Sequence, residues 1–195
     1  MVQGFKILYN INMNTEIETR FLDINKSELI EKLKSLNAID KGEVKLDEII
    51  FYDDLEKSLR EKYLVKLRKK GDKITLTYKS NKDKTTDGAT EIEFVVSDMD
   101  KAKSFMETIG WTAYRIVEKY RHTFELDGVT LDIDTWPQIP PYVELEGDDV
   151  ESLKLMAGKL GFDWNNKFDQ DPRFVFKHYG YDFDNIRTVT FDKFE

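Results

Sequence analysis

Charged side chains recur along this sequence in pairs whose members are separated by a single residue. The pairs, with two further cations, are Glu16 and Glu18, Glu91 and Glu93, Asp132 and Asp134, Glu144 and Glu146, Lys66 and Arg68, Lys119 and Arg121, and the single residues Arg20 and Lys79. A spacing of two places both members on the same face of a β-strand. Grouped carboxylates are hard oxygen ligands of the kind that Mg²⁺ and Mn²⁺ prefer. Grouped bases neutralise a polyanion, so the pattern indicates a site for both.

An ordinary half-buried sheet offers a simpler explanation for any one of these pairs. Its strands also alternate apolar and polar residues, and the polar face then points to solvent. Seven strands of the same type favour a different arrangement, because a solvent face rarely separates acidic pairs from basic pairs strand by strand. If the sheet closes, the charged faces line a channel, where bound cations and a bound polyanion would offset the cost of clustering like charges.

Eight segments have the alternation and the turn boundaries of β-strands. They cover residues 13–22, 44–52, 63–69, 73–79, 91–96, 114–124, 129–135 and 142–146. Gly71 and the Asp127-Gly128 pair predict tight turns in two hairpins. Caps and apolar residues at helical spacing predict helices at 27–37, 98–109 and 149–160. We therefore expect an α+β fold, a closed antiparallel β-tunnel (barrel) of about eight strands with helices packed on the outside.

The uncharged face of these strands is expected to form the core against the helices. Its residues are Ile17, Val65, Leu67, Ile74, Leu76, Ile92, Phe94, Leu131, Ile133, Val143 and Leu145. The 195 residues suffice for one domain with a substantial core, and no linker divides them. We therefore treat 1–195 as a single domain.

Composition excludes several classes of function. The chain has no cysteine, which excludes disulfides, a thiolate zinc site and a cysteine nucleophile. Its two histidines, His122 and His178, are not at ligand spacing, so zinc is not expected. The net charge of −8 argues against nucleic-acid or anionic-membrane partners. Residues 1–13 resemble neither a secretory signal nor a membrane span, so we expect a cytoplasmic protein. The sequence contains no Walker phosphate loop and no nucleophile elbow.

The order of these motifs resembles the CYTH superfamily, the triphosphate tunnel metalloenzymes. Residues 16–20 (EIETR) are similar to the ExExK opening of that family. The resemblance continues through 66–68 (KLR), 76–79 (LTYK), 91–93 (EIE), 119–121 (KYR), Asp134 and 144–146 (ELE). It covers about residues 13–161, and 162–195 is a C-terminal helical and aromatic extension without a recognisable motif.

The resemblance implies a role for each matching residue. The metal-binding and catalytic carboxylates would be Glu16, Glu18, Glu144 and Glu146, with Asp134 as a further metal ligand and Asp132 as a weaker one. The residues that bind the phosphate chain would be Arg20, Lys66, Arg68, Lys79, Lys119 and Arg121, and Arg20 would also belong to the catalytic set. Glu91 and Glu93 match an acidic strand that pairs with these bases or assists metal binding.

Two positions depart from the family pattern. Arg20 stands where the ExExK motif has lysine, and the planar guanidinium binds phosphate with a different geometry. Asn10-Ile11 stands where family cyclases have His-Phe, which weakens a cyclase interpretation. Trp136 belongs to a proline-rich turn expected at the tunnel rim, where it would pack or stack on an organic group.

Family membership would imply a metal-dependent triphosphate hydrolase that uses Mg²⁺ or Mn²⁺, with two ions expected. The substrate would be tripolyphosphate, thiamine triphosphate or a nucleoside triphosphate such as ATP. One alternative is a class IV-type adenylyl cyclase, which would use nearly the same residues. Another is a non-catalytic polyphosphate- or nucleotide-binding module, which would not need the complete set of carboxylates. The sequence does not decide whether the protein forms a homodimer.

Overall fold

The computed structural model describes residues 17–61, 63–80 and 90–195 of the chain. Its strands are β1 (Ile17–Phe21), β2 (Ile39–Tyr52), β3 (Tyr63–Lys70), β4 (Lys73–Ser80), β5 (Thr90–Val96), β6 (Thr112–Leu126), β7 (Val129–Thr135), β8 (Tyr142–Gly147) and β9 (Thr188–Val189). Its helices are α1 (Lys26–Ser35), α2 (Leu55–Glu61), α3 (Met99–Thr108), α4 (Val150–Leu160) and α5 (Pro172–His178). Two short 3₁₀ helices, Trp164–Asn166 and Phe183–Asn185, flank α5.

The sheet is antiparallel in the order β1-β8-β7-β6-β2-β3-β4-β5, and β9 pairs with β6 in parallel. Local turn chemistry explains two of its hairpins. Gly71 joins β3 to β4 with a positive φ of 58°. Asp127 and Gly128 join β6 to β7, and both adopt positive φ, as the turn that matches strand twist requires.

The charged face of the sheet is turned inward. Polar and charged residues at inward positions of six strands are buried, and they are Arg20, Glu48, Thr75, Thr77, Arg115, Lys119, Asp132, Asp134 and Glu144. An open sheet would leave this face in solvent, so the burial requires the strands to curl around it. The predicted tunnel fold is thus confirmed, with a short ninth strand that the sequence did not predict.

Helices α1 and α4 cover the outward face of β1, β6, β7 and β8. Leu33 of α1 and Leu153 of α4 are buried in the same core as Leu131 and Leu145 of the sheet. Asn25 caps α1 by accepting hydrogen bonds from the amides of Ser27 and Glu28, two residues earlier than the predicted cap. Asp149 caps α4 in the same manner.

Helix α3 covers a second core beneath β2, β3 and β4. Asp98 caps this helix, and Met106 is buried against Phe51 and Leu67 of the sheet. The prediction that Ile92 and Phe94 belong to this core was wrong, because their exposed fractions are 47% and 54%. Both lie on β5, the last strand in the ladder, and the helix contacts β3 and β6 instead.

The C-terminal segment, defined here as residues 162–195, packs on the tunnel as an integral part of the fold. Phe168 forms two backbone hydrogen bonds with Arg20, along the edge of β1 that β8 leaves free. Val175, Phe176 and Phe183 are buried in a third core together with Val117 of β6. The aromatic residues of the segment therefore have a structural role. The sequence pattern of the segment is irregular and did not predict the bounds of α5, β9 or the two 3₁₀ helices.

The two leucines of α4 provide a matched test of how the helix packs. Leu153 is 1% exposed and Leu155 is 68% exposed. We expect Leu153→Ala to lower the free energy of unfolding by about 2–5 kcal/mol, because it leaves a cavity in the core. Leu155→Ala should change it by about 0.5 kcal/mol or less, as is usual for surface positions. Chemical denaturation measures both, and equal effects would contradict this packing.

Candidate active site

Three carboxylates converge on the wall formed by β1 and β8. The strand register places Glu18 opposite Glu146 and Arg20 opposite Glu144. One carboxylate oxygen from each of Glu18, Glu144 and Glu146 lies within 4.8 Å of the other two. A cation that binds oxygen at roughly 2.0–2.6 Å fits between oxygens at this separation. The donor set, all carboxylate oxygens, is the one that Mg²⁺ or Mn²⁺ prefers.

Arg20 holds these carboxylates together and is itself held by the C-terminal segment. Its Nη2 lies 2.5 Å from Glu144 Oε2 and 2.9 Å from Glu18 Oε1, and its Nη1 donates to the carbonyl of Gln170 at 2.9 Å. Burial lowers the pKa of Arg20, but Glu144 and Glu18 outweigh this effect and the net shift is upward. Its buried Nε–H has no acceptor among the described residues.

The second acidic pair does not join the three-carboxylate cluster. Arg121 donates from Nε to Asp134 Oδ1 at 2.6 Å and from Nη2 to Oδ2 at 2.7 Å, and it also contacts Asp132 at 2.5 Å. Lys119 Nζ donates to Asp134 Oδ2 at 2.7 Å. Asp134 is fully buried between these two cations. Its predicted metal-binding role is therefore not visible in the contacts of this structure, and neither is that of Asp132.

The pKa values of the buried carboxylates on this side of the tunnel reflect both their burial and their ion pairs. Burial would raise the pKa of Asp134, but Arg121 and Lys119 lower it well below the ordinary range. Glu144 behaves similarly, since Arg20 and Arg121 outweigh the effect of burial on its pKa. Asp132 differs, because burial raises its pKa despite the opposing effect of Arg121. Glu144 and Asp134 are thus ionised at neutral pH.

The opposite part of the tunnel carries a basic cluster. Lys66 and Arg68 alternate inward on β3, and Arg68 Nε donates to Glu48 Oε1 of β2 at 2.6 Å. Arg68, Lys66 and Lys119 overcome the effect of burial and lower the pKa of Glu48 to about 2. Burial lowers the pKa of Lys66 to about 8, and the positive charges of Arg68, Lys119 and Lys79 act in the same direction. Glu48 does not fully compensate for these cations.

The last predicted acidic pair faces the basic residues of β4. Lys79 Nζ lies 3.8 Å from Glu91 Oε2, and Lys73 Nζ lies 3.6 Å from Glu93 Oε1. Thr77, which is fully buried, donates its hydroxyl to Glu93 at 2.9 Å. Glu91 thus pairs with one of the predicted phosphate-binding bases, Lys79, whereas Glu93 pairs with Lys73, which was not among them.

Some predicted residues lie elsewhere. Glu16 and the Asn10-Ile11 pair fall outside the described residues. Trp136 is 6% exposed and packs against Phe176, and its Nε1 donates to the hydroxyl of Tyr142 at 2.9 Å. It is therefore part of the protein interior, as the packing alternative proposed. His122 contacts Asp40 and stacks on Phe124, in a packing role.

Sequence reasoning missed two contributors to this site. Glu48 is the buried counter-charge of the basic cluster. It shares one face of β2 with Leu46 and Ile50, and a charged residue between two apolar residues of the same face could have identified it. Gln170 acts through its backbone carbonyl, which carries no sequence signal.

Comparison with known proteins now identifies the family. Residues 14–168 match the CYTH domain. This chain belongs to the CYTH family. The match covers the strands that carry the three-carboxylate cluster and the basic cluster, and it ends within the C-terminal segment.

Solved structures show the same fold. A protein of Pyrococcus horikoshii OT3 is 24% identical and superposes with a TM-score of 0.68 over 80% of this chain and 96% of its own. A candidate adenylate cyclase of Vibrio parahaemolyticus is 13% identical, with a TM-score of 0.71 over 84% of this chain and 98% of its own. A candidate adenylyl cyclase of Hippeastrum, described as having a dominant triphosphatase activity, is 13% identical, with a TM-score of 0.59 over 85% and 95%.

Two further comparisons are negative. No functionally curated protein matches this CYTH sequence. None of the helices in the described ranges combines the length and the apolarity that crossing a bilayer requires.

The basic cluster generates a prediction for Lys66. We expect NMR titration of the free protein to give Lys66 a pKa of about 8, with the signal assigned by its loss in Lys66→Arg. Between that pH and the ordinary lysine pKa of 10.5, the unfolded chain binds the proton that folded Lys66 releases. The Lys66 contribution to the free energy of unfolding should therefore increase with pH across this window. A titration midpoint at or above the ordinary value would contradict the burial of this cation among like charges.

Proposed function

We propose that this CYTH protein is a metal-dependent hydrolase of linear triphosphates that acts inside its tunnel. The observation that carries the proposal is the basic cluster of Lys66, Arg68, Lys79 and Lys119, which faces a wall of grouped carboxylates. Among the described residues, Arg68, Lys79 and Lys119 each pair with a carboxylate, whereas Lys66 has no ion-pair partner. An excess of positive charge on the inner wall favours an anion that reaches several bases at once. Adjacent carboxylates favour divalent cations, and a metal–triphosphate complex supplies both partners.

We assign metal binding to Glu18, Glu144 and Glu146, together with Glu16. Mg²⁺ or Mn²⁺ bound there would polarise phosphoryl oxygens and bring the attacking water to reactivity at neutral pH. Arg20 fixes the orientation of two of these carboxylates through its paired contacts with Glu18 and Glu144. Its buried Nε–H, which has no acceptor among the described residues, is a further candidate donor to a phosphate oxygen.

The basic residues would bind successive phosphate groups and stabilise the charge that develops in the transition state. They come from separate strands, with Lys66 and Arg68 on β3, Lys79 on β4, and Lys119 and Arg121 on β6. A single phosphate reaches only some of them. Each additional charge-assisted hydrogen bond contributes about 1.5–3 kcal/mol before desolvation is subtracted. A triphosphate should therefore bind much more tightly than a monophosphate.

Exchange of ion-pair partners would accompany binding. Without ligand, Arg121 and Lys119 are neutralised by Asp134, and Arg121 also contacts Asp132. When these bases turn to phosphate oxygens, Asp134 is released as a further metal ligand, with Asp132 beside it. This exchange would allow a site for two ions to be charge-balanced before its ligands arrive.

Conversion of ATP to cyclic AMP is the alternative reaction, and it would use the same tunnel residues. The Hippeastrum protein combines a candidate cyclase name with a dominant triphosphatase activity, which makes the two reactions a question for direct assay. A binding module without turnover is the alternative from another class.

With Mg²⁺ or Mn²⁺, the purified protein should hydrolyse tripolyphosphate with a kcat/KM at least about a hundredfold higher than that for p-nitrophenyl phosphate. The reason is that two extra charged contacts supply about 2.7 kcal/mol. Excess EDTA should abolish turnover. Glu18→Gln should lose most activity because a metal ligand is removed, whereas Glu151→Gln, at an exposed position of α4, should retain it.

The same assay, run with thiamine triphosphate and ATP, identifies the organic part of the substrate. Comparable kcat/KM for p-nitrophenyl phosphate, or turnover that survives EDTA, would overturn the proposal. Cyclic AMP as the main product from ATP would establish the cyclase, and tight binding without turnover would establish the binding module.

A further inference from the structure

A row of cations lies on the inward face of the β3–β4 hairpin, and it extends beyond the basic cluster described above. Side chains two residues apart share one face of a strand. On this face β3 carries Lys66, Arg68 and Lys70, and β4 carries Lys73 and Lys79. The inward bases therefore continue along the hairpin to its turn, where Lys70 and Lys73 are the last members of the row.

Burial decreases along this row towards the turn. On β4, Thr77 is fully buried and Thr75 is 5% exposed. The side chain of Lys73, the next inward residue, is 59% exposed. Lys70, opposite it on β3, is exposed as well. The two lysines thus lie where the inner wall of the hairpin reaches solvent, and an anion that continues outward from Arg68 would reach them.

The strand register places Lys70 and Lys73 directly opposite each other as the closing pair of the hairpin. Residues in such positions have Cβ atoms about 4.5–5.5 Å apart, and like charges there destabilise the pairing of the strands. A local choice that opposes folding, with no evident compensating contact, is expected at functional sites. The pair therefore indicates a site at which an anion supplies the missing counter-charge.

Carboxylates in the described part of the chain do not neutralise this pair. Glu93 lies 3.6 Å from Lys73, but it also accepts a hydrogen bond from Thr77. Lys70 has no ion-pair partner among the described residues, and its neighbour across the β2–β3 pairing is the uncharged Leu46. Two cations thus share one carboxylate, which leaves an excess of positive charge at the turn.

The spacing of the row suits a linear polyanion. Each residue of a strand rises about 3.3 Å, so Lys70 lies about 13 Å along β3 from Lys66. A compact anion at Lys70 and Lys73 would not reach the interior bases. A linear chain of phosphate groups that begins at Lys66 and Arg68 reaches the outer lysines only if it is long enough.

We propose that Lys70 and Lys73 form an outer anion subsite, which binds the phosphate groups that linear polyphosphates of four or more units add to a triphosphate. This inference rests on the proposed function, because it assigns the chain length that the same site accepts. The interior bases then determine affinity for a triphosphate, and the outer subsite determines selectivity for longer chains.

Lys69 provides a matched control, because it is an exposed lysine next to Lys70 on the opposite face of β3. Binding of linear tripolyphosphate and linear tetrapolyphosphate is measured by calorimetry for the wild-type protein, Lys69→Gln, Lys70→Gln, Lys70→Arg and Lys73→Gln. The titrations are run with Mg²⁺ and repeated in excess EDTA, which prevents metal-dependent turnover. Ionic strength is held constant, since salt screens exposed charges.

We expect the wild-type protein, Lys69→Gln and Lys70→Arg to bind tetrapolyphosphate at least about tenfold more tightly than tripolyphosphate. In Lys70→Gln and Lys73→Gln this ratio should fall to about threefold or less, while the affinity for tripolyphosphate stays within about threefold of wild type. Equal affinity of the wild-type protein for both chains would overturn the outer subsite. An equal loss of the ratio in Lys69→Gln and Lys70→Gln would overturn it too, because it would show only a general effect of charge.

Two further outcomes separate this inference from the proposed function. Failure of the wild-type protein to bind tripolyphosphate in either condition would refute the proposed function, and the outer subsite with it. Binding without turnover would refute hydrolysis alone, and the affinity ratios would still decide the subsite.

Thermal denaturation without ligand tests the opposed pair itself. Lys70→Gln should unfold at the same temperature as wild type or higher, because it removes one of two opposed like charges. A lower unfolding temperature would show that Lys70 stabilises the hairpin, and it would contradict the inference from an unneutralised pair.

Discussion

The mutual compensation of buried charges on the inner wall is the interaction on which the rest of this structure depends. Arg20, Glu48, Lys119, Asp134 and Glu144 are each 6% exposed or less. A charge removed from water costs several kcal/mol unless partners replace its hydration. Each of these residues has an oppositely charged partner on its own or a nearby strand. The strands must therefore stay in register, and the outer apolar cores and the helices preserve that register.

This compensation also prepares the wall for ligands. The cost of desolvating these groups is met when the protein folds, so the metal ion and the polyanion of the proposed function would meet carboxylates and bases that are already oriented. The walls are unequal, because Glu18, Glu144 and Glu146 cluster on one side, whereas Lys66 stands among cations on the other. Asp134 lies between the two, held by Arg121 and Lys119.

Alternation was sufficient to predict the inward charged residues of most strands, because a period of two assigns residues to faces without knowledge of the partner strand. Strand β2 is the exception, since its inward Glu48 was missed. Gly71 and Asp127-Gly128 likewise identify their turns from local chemistry alone. Burial of a face depends on what covers it, which explains why Ile92 and Phe94 are exposed although their pattern matches that of buried strands. Carbonyl acceptors such as that of Gln170 carry no side-chain signal.

The C-terminal segment shows the same limit for pattern-based reasoning. Its aromatic residues lack helical or strand period, so their partners on the tunnel wall could be found only from the fold. Trp136 was expected at a rim, and the structure buries it beneath Phe176. The central claim, a metal–triphosphate site on the inner wall, is tested most directly by a crystal structure with Mn²⁺ and a non-hydrolysable imidotriphosphate. We predict anomalous density for Mn²⁺ between the oxygens of Glu18, Glu144 and Glu146, with phosphate groups beside Lys66 and Arg68. Ions and ligand bound only on the outer surface would contradict it.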